Sequence, residues 1–426
     1  NGSFNTNNQT ITIAGFASDN GNTRSMSLGS TVMNLSGDWV GRTTVGFTLS
    51  AGTSTINLTD GRFYTGEGSN HLTYYDVNFS PTGNNKAQLY PYSGQATYHN
   101  LTTTTGFERW GSGGGMVTVT NNFTCPGTYT GYWGGILTVN GVATFGGSAT
   151  FDDAINIGTL NLTGVGATYI FQSGKTATIT TALNITGGNC NSFTNINSSN
   201  VGSQATITMA SGSTTANYVN LKDIVASGGA TFNATNTIDQ GNNTGWTIGA
   251  LTSRNLYWIG NTGNWSNGNN WSLSSGGSAL GCAPSSLDNV IFDANSFSAT
   301  GQTITLNVAT PACNNMTWTG VNNSPTFNGN SNTLKIYGSL TFVTGMTVTN
   351  NTHLSFEATT TGKTITTAGR VFGNLTLNGI GGGWTLQDAI NSSSTSVSLN
   401  NGSFNTNNQT ITIAGFASDN GNTRSM

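Results

Sequence analysis

The sequence contains few charged residues, few prolines and no long apolar run. Asp, Glu, Lys and Arg make up 6% of its 426 residues, against about 25% in ordinary globular proteins. With 12 Lys and Arg in total and a net charge of −3, the chain lacks the basic stripe that binds phosphate backbones, so nucleic acid is not an expected partner. The 6 prolines leave nearly every backbone N–H able to join a β-ladder. The absence of a run of 18 apolar residues predicts no membrane-spanning helix.

The hydrophobic share of 35% is also low, and Gly, Asn, Thr and Ser fill the difference. Disordered chains usually combine high net charge with few aromatic and β-branched residues. Here 10% of the residues are aromatic, and Val, Ile and Thr are abundant. The composition therefore favours a β-rich fold made of many short strands.

The four cysteines are Cys125, Cys190, Cys282 and Cys313, and none belongs to a C-x-x-C pair. A zinc or thioredoxin-like site is therefore not predicted. Cys282 and Cys313 lie in one Trp-rich stretch, and a disulfide between them would suit an oxidising, extracellular location. The alternative is that both are small, buried, unpaired residues.

The dominant feature of the sequence is a repeat, because residues 1–26 and residues 401–426 are identical. Two explanations are open: a giant polypeptide with near-identical 400-residue units in tandem, or a sequence cut so that it overlaps itself. Both imply an array. The chain also begins without Met or a signal peptide, so we expect it to be an excerpt from a larger protein.

Shorter internal similarities occur within the 400-residue unit. Residues 404–415 align without gaps on residues 327–338, and TYYDV at 73–77 is followed 24 residues later by TYHNL at 97–101. Similarity at about 20–30 residues is typical of coils stacked along an axis. Short segments such as ITI at 411–413 alternate apolar with polar residues, as half-buried strands do.

These patterns predict an all-β fold, an elongated right-handed parallel β-solenoid with almost no helix. The right hand is the one favoured for parallel crossovers. Roughly 16–20 coils at about 4.8 Å each would give one 400-residue unit a length of about 80–95 Å. Gly and Asn at the strand ends are expected to supply the corners, where positive φ is often needed.

A Trp-rich stretch interrupts this rhythm once per repeat, with tryptophans at Trp258, Trp265, Trp271 and Trp318. They could form a carbohydrate platform, or a joint in which large rings plug a solenoid end, and the joint is favoured because the motifs sit among turn residues. The predicted organisation is solenoid coils over 1–253, a Trp-rich joint or cap over 254–318 that merges into the solenoid, coils over 319–400, and the start of the next repeat over 401–426.

A family resemblance rests on these residues. The pattern W-x-G-x-x-G-N-W-S-x-x-x-N-W-S at 258–272, followed by P-x-x-x-D-N-V-x-F at 284–292, resembles the module that heads β-solenoid stretches in bacterial surface proteins. Together with the Asn/Thr/Gly-rich coils, it resembles giant tandem-repeat proteins of Bacteroidota exported by type IX secretion. That group includes adhesins and gliding-motility filaments. The resemblance implies an extracellular or cell-surface location and a broad role, not a ligand.

Catalytic residues are not predicted, although parallel β-helices also host polysaccharide lyases and hydrolases. The best carboxylate pair, Asp152 and Asp153, is adjacent in sequence, and neighbouring strand residues point to opposite faces. A similar Gln387-Asp388 pair precedes the same Ala-Ile-Asn, which indicates a recurring structural corner. The histidines at 71, 99 and 353 share no motif.

No cofactor is predicted, with calcium as the weak exception. Asp288, Asp293 and Asn295 lie close in sequence and could supply oxygen ligands. Neither an EF-hand loop nor a GGxGxD repeat is present, and turn-capping side chains are the plainer interpretation.

The predicted function is that of a structural or adhesive extracellular fibre, not an enzyme. Its expected partners are further copies of the repeat, other chains of a fibre, and surface glycans. The alternative is a glycan-binding repeat module that acts by avidity, with a β-helix lyase or hydrolase less favoured. An exposed row of Trp or Tyr would support glycan binding, whereas buried Trp side chains would support a spacer.

Overall fold

A computed structural model describes residues 1–43, 45–67, 71–82, 86–111, 114–349 and 351–426. The chain divides into two compact units, Asn1–Leu251 (unit 1) and Thr252–Met426 (unit 2). Within each unit, short strands stack in parallel, coil upon coil, and the two units together contain about 19 turns. The predicted all-β parallel solenoid is thereby confirmed. In the described ranges the only helix is a single 3₁₀ turn, Gly268–Asn270.

Unit 1 contains the following strands in its described part: β1 Gly2–Asn5, β2 Ile11–Ile13, β3 Phe16–Ala17, β4 Arg24–Ser27, β5 Val32–Leu35, β6 Trp39–Thr43, β7 Phe47–Ser50, β8 Thr55–Leu58, β9 Arg62–Glu67, β10 Leu72–Phe79, β11 Ala87–Tyr90, β12 Gln95–Thr103, β13 Phe107–Trp110, β14 Met116–Val119, β15 Phe123–Cys125, β16 Tyr129–Tyr132, β17 Leu137–Phe145, β18 Ala149–Thr150, β19 Ile155–Leu162, β20 Thr168–Phe171, β21 Thr176–Ile185, β22 Thr194–Ser198, β23 Ala205–Met209, β24 Ser213–Asn217, β25 Val219–Lys222, β26 Ile224–Gly228, β27 Thr231–Asp239 and β28 Trp246–Ala250.

Unit 2 contains, again in its described part, β29 Asn255–Trp258, β30 Gly263–Asn264, β31 Trp271–Ser272, β32 Asn289–Ile291, β33 Thr303–Thr305, β34 Ala312–Cys313, β35 Met316–Thr317, β36 Thr326–Asn328, β37 Thr333–Ile336, β38 Leu340–Thr341, β39 Thr347–Val348, β40 His353–Phe356, β41 Lys363–Thr366, β42 Leu375–Leu377, β43 Gly383–Leu386, β44 Ile390–Leu399, β45 Gly402–Asn405, β46 Ile411–Ala417 and β47 Arg424–Ser425.

The strands of each unit form long sheets in which neighbours come from successive coils. Unit 1 has sheets of 3, 12 and 13 strands, and unit 2 has sheets of 9, 4 and 6 strands. The similar segments at 73–77 and 97–101 are direct neighbours, with Thr73 opposite Thr97 and Val77 opposite Leu101. The β29–β31 pair in the Trp-rich stretch is antiparallel, but β29 also pairs in parallel with β32, as the coils do.

The 12-stranded sheet places one polar row on its outside, between two rows of side chains that are mostly buried and apolar. Asn57 Nδ2 donates to Asn34 Oδ1 at 2.9 Å, and Asn78 Nδ2 donates to Asn57 Oδ1 at 3.0 Å. Such ladders satisfy polar groups within the stack, because like residues lie over like. The row consists of Thr12, Asn34, Asn57, Asn78, Thr102, Thr124, Thr144, Asn161 and Asn184.

Asn-rich corners end the short strands, as the sequence predicted. Asn7 and Asn8 have φ of 53° and 59°, and Asn7 N donates to the Asn5 side chain at 2.8 Å. Asn330 in the similar segment of unit 2 also has positive φ, 49°. Asn tolerates this left-handed conformation because its side chain bonds the local backbone. The similarity between residues 404–415 and 327–338 is thus partly a repeated turn.

Candidate functional site

The four tryptophans of the Trp-rich stretch are buried in unit 2, with exposures of 0–1%. Trp258 and Trp265 pack edge-on against Trp271, with ring centroids 5.1 and 5.0 Å apart. Trp318 stacks on Phe292 at 3.9 Å. Rings packed in this way stabilise a core and leave no face for a sugar.

The weak calcium candidates are not brought together as a ligand set. The carboxylate of Asp288 is 1% exposed and accepts hydrogen bonds from Arg254 Nε and Nη2 at 2.8 and 2.7 Å. Asp293 accepts from the backbone of Asn295 at 3.0 Å, as a turn-capping residue does. In the ranges that the structure describes, no group of three or more His, Cys, Asp or Glu could hold a metal ion.

Of the two alternatives for Cys282 and Cys313, the disulfide between them is wrong, and the unpaired state holds for Cys313 alone. Cys313 is a free, buried thiol, whereas Cys282 and Cys190 are disulfide-bonded. Spacing along the sequence could not identify the bonded cysteines, because bonding depends on where the coils place each Cβ. Cys125 is also free and buried, and its burial raises the pKa of its thiol to about 12.

The adjacent carboxylates at 152 and 153 stabilise a turn of the preceding coil by accepting hydrogen bonds from its backbone. Asp152 pairs with Arg109 and accepts from Gly134 N at 2.7 Å. Asp153 pairs with Lys175 at 2.7 Å. Burial raises the pKa of Asp153, but hydrogen bonds from Lys175 and the backbone outweigh burial and hold that pKa below its usual value.

Asp388 has the same role in unit 2, where its carboxylate accepts from the backbone N–H groups of Thr367, at 2.8 Å, and Ala368. The Asp residues at 152 and 388 thus each hold the turn of the preceding coil. Among the histidines, His99 stacks on Tyr75 with ring centroids 4.2 Å apart and contacts Asp76 at 3.1 Å. His353 Nδ1 accepts from Asn374 N at 3.0 Å, and within the described ranges it contacts neither His71 nor His99.

The 13-stranded sheet of unit 1 carries a row of aromatic rings on its outer face, which we call the aromatic ladder: Tyr64, Tyr90, Trp110 and Tyr132. One ring comes from each of β9, β11, β13 and β16, in direct register. Successive ring centroids lie 4.8, 5.8 and 4.2 Å apart. All four rings are half-buried, because each covers the face of the next and only the outer edges meet solvent.

A polar row runs beside the ladder, two residues earlier on each strand. Gln88 Nε2 and Trp110 Nε1 both donate to Glu108 Oε2, at 3.0 and 3.2 Å. Arg62 Nη1 donates to Tyr64 Oη at 2.9 Å. A cleft of about 190 Å³ opens next to this row, lined by Asp60, Gly61, Arg62, Pro81, Lys86 and Gln88.

Trp133 ends the aromatic ladder and differs from its four rings. Its side chain is 66% exposed, and its ring lies at 69° to that of Trp110, with centroids 5.1 Å apart. Its φ of 66° is in the left-handed region, which is strained for a bulky side chain. An exposed ring gains little burial to offset that strain.

The turn after Trp133 is fixed by a buried ion pair. Arg109 is 2% exposed, pairs with Asp152, and donates from Nη1 to Gly134 O at 3.1 Å. Burial lowers the pKa of Arg109, but Tyr129 and Asp152 outweigh it and raise that pKa above its usual value. A Cβ at Gly135 would come within 2.3 Å of the backbone oxygen of Gly115 and 2.7 Å of Arg109 Nη1, so glycine is needed there.

Sequence reasoning missed this site because the four ladder residues are 26, 20 and 22 positions apart, and coils of variable length hide such a register. A signal was nevertheless present. Each of these strands carries its aromatic residue close to a Gly or Pro, in RFYTG, QLYPY, ERWG and GYWGG.

No family model, curated protein or solved structure matches this chain. In the described ranges, no helix is long and apolar enough to cross a membrane.

Proposed function

We propose that this chain is part of an extracellular structural fibre at a cell surface, built from tandem 400-residue β-solenoid repeats. Its role is to span distance and to present its outer faces, without catalysis. The parallel stacking of coils supports this proposal, because every coil offers its open edge to the next and a stack can be extended indefinitely. The disulfide-bonded Cys190 and Cys282 support an oxidising location.

The repeated 26-residue segment carries the proposal, because its two copies have opposite faces covered. Phe4 is 55% exposed in the first copy, whereas Phe404 is 2% exposed in the second, where it lies opposite Trp384 on the preceding coil. Met26 is 3% exposed and Met426 is 69% exposed. The first copy pairs with the coil that follows it, and the second pairs with the coil that precedes it.

A single copy with both sets of partners would be covered on both faces. Copy 1–26 shows how the segment pairs with the coil that follows it, and copy 401–426 shows how it pairs with the coil that precedes it. Because the two sequences are identical, one copy inside an array could make both sets of pairs. Successive repeats can stack through this segment with no linker and no change of register. Length is then the property that added repeats change directly.

The test is thiol accessibility at position 426 in the present chain and in a two-repeat chain, residues 1–400 followed by 1–426. In the present chain Met426→Cys should react rapidly with a maleimide, while Met26→Cys should be protected. In the two-repeat chain, the cysteine at 426 should become as protected as the one at 26 while Phe404→Cys also stays protected, so that one copy of the segment is covered from both sides. The free native thiols are buried, so the background should be low.

Val201→Cys serves as the control in both chains, because Val201 is 88% exposed and far in sequence from the repeated segment. It should react equally in the two. A cysteine at position 404 that becomes reactive in the two-repeat chain, or one at position 426 that stays fully reactive, would show that consecutive repeats do not stack, and the fibre proposal would fail.

A further inference from the structure

On the described surface of unit 1, Trp133 is a large side chain whose presence neither burial nor backbone preference explains. Burial does not account for a tryptophan there, because the ring is 66% exposed. Backbone preference does not account for it either, because φ is 66° and the two following residues, Gly134 and Gly135, are glycines also at positive φ. A glycine at 133 would serve the turn better. Strain of this kind, where it is maintained, is typical of binding sites.

We propose that Trp133 and the outer edge of the aromatic ladder form a binding site for a neutral polysaccharide. The open ring of Trp133 stacks on the C–H face of one sugar. The ladder edge, with the hydroxyls of Tyr132 and Tyr90, contacts sugars further along the chain. This site goes beyond the proposed function, and it requires one copy of the chain rather than an array.

The chemistry of the surroundings favours a neutral, hydroxyl-rich ligand. Two charged pairs lie beside the ladder, Glu108 with Lys86 at 3.1 Å and Asp153 with Lys175 at 2.7 Å. At its other end the guanidinium groups of Arg42 and Arg62 lie over the Tyr64 and Tyr90 rings, 5.8 and 6.0 Å from the ring centroids. At the Trp133 end the carboxylates of Asp152 and Asp153 are matched by Arg109 and Lys175, so that end presents little net field to attract an ion. Amide, phenol and carboxylate groups of the polar row offer both donors and acceptors, as sugar hydroxyls require.

The repeat of the ladder suits an extended ligand. Each coil adds one ring at about 4.8 Å, so the four ladder rings and Trp133 form a strip rather than a closed pocket. A linear polysaccharide can lie along such a strip and contact several rings at once. A small monosaccharide would reach Trp133 alone and bind weakly.

The site is also rigid before any ligand arrives. The Arg109–Asp152 pair and Asp153 hold the backbone of the turn that follows Trp133, through Gly134 O, Gly134 N and Gly135 N. The stacked ladder fixes the Trp110 ring against which Trp133 packs. A ring that is already positioned loses little conformational freedom on binding, which favours affinity.

The experiment measures binding of the full chain to soluble neutral polysaccharides (a β-glucan, an α-mannan and a galactan) and to an acidic one, alginate, by affinity electrophoresis. At least one neutral polymer should retard the wild-type chain. Trp133→Gly should weaken that binding by about tenfold or more, with the circular dichroism spectrum and urea midpoint of the wild type retained or improved.

Ile380→Ala is the matched control, since Ile380 is likewise an exposed apolar residue, at 77%, and should bind as the wild type does. Equal binding by Trp133→Gly would overturn the proposal. Retardation by alginate alone, or by none of the four polymers, would overturn it too. The fibre proposal would survive any of these outcomes, because it rests on position 426 and not on Trp133.

Discussion

The buried Arg109–Asp152 pair provides the sharpest prediction about stability. Asp152→Ala leaves the guanidinium of Arg109, 2% exposed, without its counter-charge. Breaking a buried pair by removing one partner costs about 3–5 kcal/mol. Since the Asp152 side chain is itself 13% exposed and carbonyl oxygens of Gly115 and Gly134 still accept from Arg109, we expect the lower end, about 3 kcal/mol.

The neighbouring Asp153→Ala is the matched control. Asp153 pairs with Lys175, whose side chain is 50% exposed, so solvent can replace this partner. The loss should be about 1 kcal/mol or less. The two variants delete the same chemical group from adjacent positions, and they differ in the burial of the cation left behind.

The assay is native-state hydrogen exchange of the amides in β13 and β16, because a chain of two compact units need not unfold in one step. Asp152→Ala should accelerate their exchange by about 100-fold, and Asp153→Ala by less than about tenfold. The double variant Arg109→Met/Asp152→Ala should recover much of the loss, since no unpaired charge remains. Equal acceleration by the two single variants would refute the assignment of the pair as a buried support.

Three further predictions follow from other parts of the chain. Phe404→Ala should destabilise the coils around it by about 3–5 kcal/mol, whereas Phe4→Ala should change stability by about 0.5 kcal/mol or less. Amide hydrogen exchange of the coil around each residue measures both effects, and equal effects would contradict the packing of Phe404 against the preceding coil. Cys125 and Cys313 should resist a thiol reagent at pH 8 in the native chain and react once urea unfolds it; rapid native labelling of either would contradict their burial. Burial raises the pKa of Asp288, but its hydrogen bonds, chiefly from Arg254, lower it below the usual value on balance, so its stabilisation is present above about pH 4 and lost as pH falls below that. The urea midpoint should therefore fall less on acidification for Asp288→Asn than for the wild type. Equal falls in the two midpoints would contradict the lowered pKa of Asp288.

Much of the fold could be predicted because stacked coils repeat their side chains. Thr73 and Thr97 belong to similar segments 24 residues apart, and they are opposite each other in the sheet. The polar corner at Asn7 could be expected from Asn chemistry alone. Turns and the stacking of like residues depend on contacts within one coil or between neighbouring coils, and similar segments of the sequence therefore reveal them.

The features that could not be predicted depend on the number of residues in each coil, which the sequence does not show directly. The register of Tyr64, Tyr90 and Trp110 follows from corners that add or remove a few residues per coil, and no fixed spacing marks it. Spacing along the sequence likewise does not record that Cys282 is disulfide-bonded and Cys313 is free. Trp133 has a left-handed backbone conformation that tryptophan rarely adopts, so residue propensities could not have predicted this turn.

The axial repeat of a multi-repeat chain, measured on single particles by electron microscopy, tests the central claim most directly. Stacked coils at about 4.8 Å predict a rod that lengthens by about 80–95 Å for each added 400-residue repeat. A compact particle whose length does not grow with the number of repeats would contradict the account.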